Sequence, residues 1–329
     1  MLTPSAVVPR DRMGGVLILV LVTLIWGTTF ILTRWMETDR AAPMPPSVLV
    51  LLRFVIAALL CSPALGNGGR NGRLWLAGAE LGFWLWCGYA SQAVGLAETT
   101  VGRSAFITSL NVVFVPTLAV LGGRRVPPRI WAAAAMALVG TSMLCNDGGR
   151  PNAGDGWTLI TAATYAVYII RLERYTSRYP SMPLTSVQLW AVVVLSAGWA
   201  LVELTFRHTP GSGAGWVDLP QRWSLPWQMW AQVVYLGIIA TALTTWLQAI
   251  GQKSVPGPQA SLLYTLEPVW ASLFAWMGSG EGFGRWGWAG AALILVAAIA
   301  SQWPRRGKVP ARESALATDA RIRDKAFQK

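Results

Sequence analysis

The 329-residue sequence is poor in charge and nearly devoid of histidine. Asp, Glu, Lys and Arg make up 13% of it, against about 25% in ordinary soluble domains. That is too little charge to cover the surface of a soluble enzyme of this length. His208 stands alone, which argues against a histidine dyad or a histidine metal site. The three cysteines, Cys61, Cys87 and Cys145, each lie inside an apolar run and form no CxxC, so a disulfide-stapled secreted domain is excluded. There is no HExxH, no GxxxxGK[ST] and no GxSxG. The run Gly278-Ser279-Gly280-Glu281-Gly282 fails GxGxxG and reads as a turn. No catalytic function, no cofactor and no metal is expected.

What the chain does have is apolar residues, 53% of the total, with 19 Trp and a mean hydropathy of +0.44. Disorder needs the opposite composition. The net charge of +12 is spread between apolar runs rather than gathered on one surface, which argues against nucleic acid as a partner. The remaining class is a polytopic membrane protein with the lipid bilayer as its solvent.

A bilayer-spanning helix needs about 20 mostly apolar residues. Ten such runs are present, near 15–36, 47–66, 74–97, 100–122, 128–145, 155–176, 183–205, 226–249, 256–279 and 284–303. Breaker clusters such as Asn67-Gly68-Gly69-Arg70 and Asn146-Asp147-Gly148-Gly149-Arg150 separate them, and 206–225 is the longest connection, read as an exposed loop. Arg10 and Arg12 precede the first run as in a signal peptide, but the run continues to Met36 without a small-residue cleavage site, so it reads as a retained helix. With the N-terminus in the cytoplasm, the inside segments hold Arg10, Arg12, Arg70, Arg73, Arg124, Arg125, Arg129, Arg171, Arg174, Arg178, Lys253, Arg305, Arg306, Lys308 and Arg312. The outside segments hold Arg34, Arg40, Arg103, Arg150, Arg207, Arg222 and Arg285. Fifteen against seven predicts both termini inside. The basic tail, 304–329, reads as a solvated cytoplasmic segment.

Shifting the sequence by 156 residues without gaps lays Gln92-Ala93-Val94-Gly95 on Gln248-Ala249-Ile250-Gly251. Leu110 then meets Leu266, Val113 meets Val269, Gly122 meets Gly278 and Arg129 meets Arg285. The shift carries runs 3, 4 and 5 onto runs 8, 9 and 10, so the repeat unit is five helices. An odd number makes the second copy enter the membrane from the other side. Inverted repeats of this kind belong to secondary transporters, whose substrate site lies near the midplane between the halves.

Trp26-Gly27-Thr28-Thr29-Phe30, Leu52-Arg53-Phe54, Gln248-Ala249-x-Gly251-Gln252-Lys253, Leu266-Glu267-Pro268-Val269, Gly280-Glu281 and Gly287-Trp288-x-Gly290-Ala291, in this order and spacing, resemble the EamA family of the drug/metabolite transporter superfamily. The resemblance covers about 15–303 as two copies, 15–145 and 155–303. It implies an all-α protein of ten transmembrane helices in two inverted five-helix repeats, in the cell (inner) membrane, exporting amino acids or related small metabolites. In one respect the sequence departs from the family. The equivalent of Glu267-Pro268 is Asn111-Val112, and the proline comes later at Pro116, so the kink of run 4 is expected to be displaced and the halves less symmetric.

Glu267 is the sharpest candidate. An ionisable group mid-span costs about 2.5–3.5 kcal/mol or more unless paired or hydrated. It reads either as a cavity carboxyl that binds an amine or a proton, or as a protonated cap on backbone freed by Pro268, which leaves the Tyr264 carbonyl without its helical donor. Both readings stay open. Asn111 is the repeat mate of Glu267, and Thr108 that of Tyr264. Ser104, Thr108 and Asn111 share one helix face, and Tyr264 and Glu267 another. Asn111, Thr108 and Tyr264 are read as cavity residues, and Ser104 as an interhelical hydrogen bonder. Gln92 and Gln248 either line an entrance or bond to neighbouring backbone, and the second reading is preferred.

Glu80 is a second coupling candidate, facing a cytoplasmic vestibule or held in a local hydrogen bond. Arg53 is expected to snorkel outward or to meet an acid near the outer surface. Trp26 and Trp84 are candidates to pack a substrate's apolar body or stack on a cation, against core packing as the ordinary role. The expected partners are a small-molecule metabolite, lipid and protons, and a homodimer is compatible with the sequence. The alternative from another class is a membrane sensor or interaction protein acting through its tail, which deletion of 305–329 would disable while leaving a carrier active.

The repeat makes a topological prediction. In a variant freed of its native cysteines, Arg125→Cys and Arg285→Cys should react with an impermeant thiol reagent from opposite sides of the membrane. Labelling of both from one side would remove the inverted repeat.

Overall fold

The computed structural model describes residues 12–29, 32, 36, 44–67, 71–145, 151–206, 227–279 and 284–303. The tail, the 206–225 connection beyond Phe206 with its His208, and Gly280-Glu281 lie outside these residues. Among the described residues every regular element is helical. Helix α1 is Arg12–Gly27, and α2 is Pro46–Cys61, continued by a 3₁₀ segment over Ser62–Asn67. Next come α3 (Gly72–Glu98), α4 (Val101–Thr108), α5 (Asn111–Leu121) and α6 (Pro128–Cys145). The second half of the chain gives α7 (Ala153–Thr176), α8 (Ser181–Phe206) and α9 (Trp227–Gly237), which runs through a π-helical turn at Ile238–Leu243 into α10 (Thr244–Gly251). Then follow α11 (Gly257–Tyr264), α12 (Glu267–Ser279) and α13 (Arg285–Gln302).

The starts are written in side chains. Asn71 caps α3 by accepting from the Arg73 and Leu74 amides. Asn152 and Asp155 form a reciprocal capping box on α7. Pro46 opens α2, where its missing N–H costs nothing.

The interior is apolar but also takes in many polar side chains, and the outer surface carries large aliphatic ones. Gln188, Thr185, Ser186, Thr161 and Thr244 are fully buried, whereas Leu17, Leu60, Val194, Leu201, Val202 and Ile299 are exposed. Polar groups inside and aliphatic side chains outside are what a hydrocarbon solvent selects. Five of the described helical stretches are long and apolar enough to cross a membrane: Pro46–Gly66, Val101–Leu121, Pro128–Cys145, Ser181–Thr205 and Trp227–Gly251.

Two of the helical stretches are broken at equivalent places. Eight-residue α4 ends at Thr108 and α5 begins at Asn111. Eight-residue α11 ends at Tyr264 and α12 begins at Glu267. All four boundaries obey the 156-residue shift. The expected displacement of the first kink to Pro116 is therefore corrected, because Pro116 sits inside α5 without ending it. Each break has a hydroxyl residue at its centre, Ser109 and Thr265, which the same shift relates. Ser109 Oγ donates to the Phe106 carbonyl at 2.6 Å and Thr265 Oγ1 to the Leu262 carbonyl at 2.7 Å. A hydroxyl that bonds three residues back competes with the helical ladder. The backbone tightens accordingly, with Val112 N donating to Ser109 O and Leu266 N to Leu263 O.

Helices α6 and α13, also related by the shift, pack closely where both carry glycine. A Cβ built on Gly140 would lie 2.7 Å from the Gly290 carbonyl oxygen, and one on Gly290 2.4 Å from the Gly140 oxygen. Small residues admit such backbone contact in membrane bundles. The variant Gly290→Leu should lower the melting temperature of the detergent-solubilised protein by several degrees, from overpacking of about 1–3 kcal/mol. Gly156→Leu, on a helix face where an added Cβ meets nothing within 4 Å, should leave it within a degree or two. Equal melting of the two variants would refute the contact.

Candidate functional site

A cavity opens beside the two breaks, with about 70 Å³ for the centres of water molecules. One water needs about 10–15 Å³ on this measure, so the space suits several waters or one small solute. Trp26 and Thr29 reach it from the end of α1, and Leu49, Val50 and Arg53 from the first half of α2. Leu85, Tyr89, Gln92 and Leu96 form one stripe of α3. Thr108 and Asn111 flank the first break, Tyr264 and Glu267 the second. Tyr165, Tyr168 and Ile169 come from α7, and Thr245 and Gln248 from α10. A small recess of about 10 Å³ continues between the breaks, lined by Thr108, Ser109, Asn111, Tyr264, Glu267 and Pro268.

Four sequence candidates thus meet at the breaks, and Trp26 joins them. Asn111 and Glu267 are the first residues of α5 and α12. The amides that follow Asn111 are taken up by the preceding turn, Val112 N donating to Ser109 O and Val113 N to Leu110 O. Thr108 and Asn111 are 6% and 7% exposed, and Thr108 Oγ1, Asn111 Oδ1 and Trp26 Nε1 have no hydrogen-bond partner among the described residues. Buried polar atoms are otherwise nearly always paired. The Glu267 carboxylate likewise makes no hydrogen bond or ion pair with any described residue.

Tyr264 plays a different part from the one its hydroxyl suggested. The hydroxyl accepts from Gln248 Nε2 at 3.1 Å and donates to Gln252 Oε1 at 3.2 Å, and Gln252 Nε2 reaches the Ile169 carbonyl at 3.1 Å. Only its ring is free to face the cavity, tilted against Trp26 at 5.4 Å between centroids. Gln248 is therefore a cavity residue with a side-chain partner, not a backbone bonder, and Gln92 likewise lines the cavity and accepts from Tyr165 Oη at 3.2 Å. Ser104 is buried but bonds to no neighbour, so its expected interhelical hydrogen bond is not made.

Glu80 and Trp84 are not among the residues that line the cavity. Glu80 accepts from Arg171 Nη2 at 2.5 Å and from the Tyr175 hydroxyl, with Trp84 beside it. This is the local pairing that the sequence left as one option. Trp84 packs against Phe83 at 5.2 Å between ring centroids.

Arg53 corrects the sequence reading most. It neither snorkels nor meets an acid. It is 4% exposed, and its Nε donates to Thr241 Oγ1 at 2.9 Å within the π-helical turn. Its Nη2 reaches the Ala240 carbonyl at 3.5 Å, and its guanidinium lies 4.8 Å from the Tyr89 ring centre. Thr241 in turn donates to the Leu236 carbonyl five residues back at 2.7 Å, the spacing a π turn allows. The available signals were the i, i+1, i+4 placement of Leu49, Val50 and Arg53 and the tyrosines at 165 and 168.

On α7 the Glu173 carboxylate takes Arg124 in a two-pronged pair at 2.7 and 2.8 Å and also accepts the Gly257 amide at 2.9 Å. The pair holds the Arg124 proton more firmly than usual. Three segments, the α5–α6 turn, the end of α7 and the start of α11, are tied there by one carboxylate.

A helical membrane protein with a part-polar internal cavity at broken helices has the build of a solute carrier. The sequence pattern of the EamA-like transporter family matches residues 13–145 and 152–301, and the chain belongs to that family. An uncharacterized transporter of Archaeoglobus fulgidus is 29% identical over 282 residues, covering 85% of this chain and 83% of its own. A second uncharacterized transporter of the same organism is 23% identical over 283 residues, covering 85% and 93%. A crystal structure of a protein that is 22% identical superposes with a TM-score of 0.69 over 88% of this chain and 97% of its own, a likeness of fold. The protein is an integral membrane transporter.

The unequal hydrogen bonding of the site predicts unequal stability effects. Tyr264→Phe strands two buried amides and should lower the melting temperature by several degrees, for a loss of about 1–3 kcal/mol. Asn111→Leu removes an atom that already lacks a partner, and should leave the melting temperature unchanged or raised. Thermal unfolding of both variants in detergent checks this, and a fall for Asn111→Leu as large as for Tyr264→Phe would contradict it.

Proposed function

We propose that the protein is a secondary transporter of the inner membrane that exports amino acids or related small metabolites by alternating access. The observation that carries the reading is the cavity itself. Unpaired polar atoms from two repeat-related helix breaks meet there, where a membrane protein can ill afford them unless something binds.

In this reading α4 with α5, α9 with α10, and α11 with α12 each act as one span, giving ten. Residues 15–145 and 155–303 are two inverted halves, 304–329 is a cytoplasmic tail, and both termini face the cytoplasm. The recurrence of the break at a 156-residue shift supports the repeat. The cavity sits toward the ends of α1 and α3 and the start of α2, which is the outer half in this topology. The chain from Gln248 through Tyr264 and Gln252 to Ile169, and the Glu173 cluster below it, then close the inner half. Inward opening parts Glu173 from Arg124 or from Gly257, groups on the two halves. No ATP site is expected from the sequence, so movement is downhill or coupled to protons.

Substrate meets Glu267, Asn111, Thr108, the Tyr264 ring and Trp26. Glu267 serves as the proton or amine site. Glu80 is set aside as a coupling group because Arg171 already neutralises it, and Trp84 because it lies off the cavity.

A metabolite-export screen in an overexpressing strain, followed by counterflow in proteoliposomes, tests the reading. Failure of every exported metabolite to exchange across the vesicle would sink it. In proton-coupled exchange the wild-type rate should vary with pH, while Glu267→Gln, which cannot lose a proton, should give a rate flat from pH 5 to 9 and reduced at least about tenfold at its best. Identical pH profiles would remove Glu267 from coupling.

A further inference from the structure

Among the described residues that line the cavity, Arg53 is the one base and Glu267 the one acid. They do not pair with each other or with any other described charge. Arg53 is held by neutral groups alone, the Thr241 hydroxyl, the Ala240 carbonyl and the faces of Tyr89 and Phe54. A buried guanidinium without a counter-charge is costly, and this one is fixed by its Nε so that the rest of its fork is committed in direction. Arg presents a planar fork that matches a carboxylate. At the other end, the recess between the breaks collects acceptors. The Glu267 carboxylate and the unpartnered Asn111 Oδ1 both border it, and its volume of about 10 Å³ suits one ammonium-sized group. Both charges line one cavity, whose wall also carries Tyr89 and Tyr165.

We propose that Arg53 and Glu267 are the two poles of one zwitterion site, Arg53 taking the substrate's carboxylate and Glu267 with Asn111 its ammonium. This rests on the carrier reading and adds to it the residue that selects for a carboxylate. The Leu49, Val50, Leu85 and Leu96 side chains take the apolar body. A substrate with only one charge leaves the opposite pole unpaired, and the site discriminates against it for that reason. The π-helical turn has a purpose in this scheme. It supplies Thr241 and the Ala240 carbonyl at the depth where Nε and Nη2 of Arg53 are tethered, which leaves Nη1 without a helix partner.

The test uses full-length purified protein in lipid nanodiscs and calorimetric binding. The probes are L-alanine, L-leucine and L-phenylalanine, each against its decarboxylated amine and its deaminated acid. At least one amino acid should bind the wild type at least about tenfold more tightly than either single-charge analogue. Arg53→Gln should weaken that amino acid to the level of its amine and leave the amine unchanged. Glu267→Gln should weaken it to the level of its acid. Arg53→Lys, which keeps the charge and loses the fork, should fall between and guards against misfolding of the Gln variant. Equal weakening of amino acid and amine in both Arg53 variants would make Arg53 a purely structural tether and overturn the proposal. So would failure of all three amino acids to bind. Either result leaves the carrier reading standing if counterflow of other metabolites succeeds.

Discussion

In hydrocarbon a backbone amide has no water to turn to, so a helix that breaks within a membrane must satisfy its loose ends from the protein. Here the two breaks are managed by Ser109 and Thr265, each returning its hydroxyl to a carbonyl three residues earlier. The break in each stretch shapes the interior. It ends α4 and α11 after eight residues. It restarts the chain at Asn111 and Glu267, and it turns those two side chains toward the space between the halves. Without the breaks, positions 111 and 267 would be ordinary mid-helix residues, and a carboxyl at the second would have no recess to face.

Charge in the interior is sorted into two kinds. Glu80 with Arg171, and Glu173 with Arg124, are neutralised in place. They tie helices together, and their exposure keeps their net contribution to stability small. Arg53 and Glu267 are the opposite case, since each lacks a partner of opposite sign among the described residues and both face one cavity. A folded chain normally removes such groups or pairs them. Their persistence side by side with unpartnered atoms of Thr108, Asn111 and Trp26 concentrates unsatisfied bonding capacity in one place, which is the physical signature of a site that is complete only with its solute.

The class, the helical architecture and the family were legible in the sequence because they are recorded in long-range regularities, namely apolar runs and a gapless shift. The positions of Asn111, Thr108, Tyr264 and Glu267 at one cavity were legible for the same reason, since the repeat relates them in pairs. What the sequence hid depends on packing between helices far apart in the chain. Arg53 was read as snorkelling because its span allows it, and nothing local records that Thr241, 188 residues away, sits in a π turn able to hold it. The first break was expected at Pro116 because proline is the familiar breaker. A serine doing the same work is visible only when its hydroxyl is seen on the Phe106 carbonyl. Tyr264 was read as a cavity residue, and nothing local records that Gln248 and Gln252 claim both bonding directions of its hydroxyl.

The repeat is close in backbone and loose in chemistry, and that combination fits a carrier better than strict symmetry would. Alternation between two related conformations asks the halves to share a skeleton, which the matched breaks provide. Binding asks for the reverse. If both mates were carboxylates, two like charges would crowd one recess, and if both were amides, no pole would distinguish an amine from any other donor. Asn111 opposite Glu267 keeps the shared skeleton, supplies two acceptors with a single charge, and places the only basic lining side chain on α2 rather than on either break. In the proposed scheme a solute has one preferred orientation between poles of different sign, and exchange of the two halves would leave the polarity of the site the same.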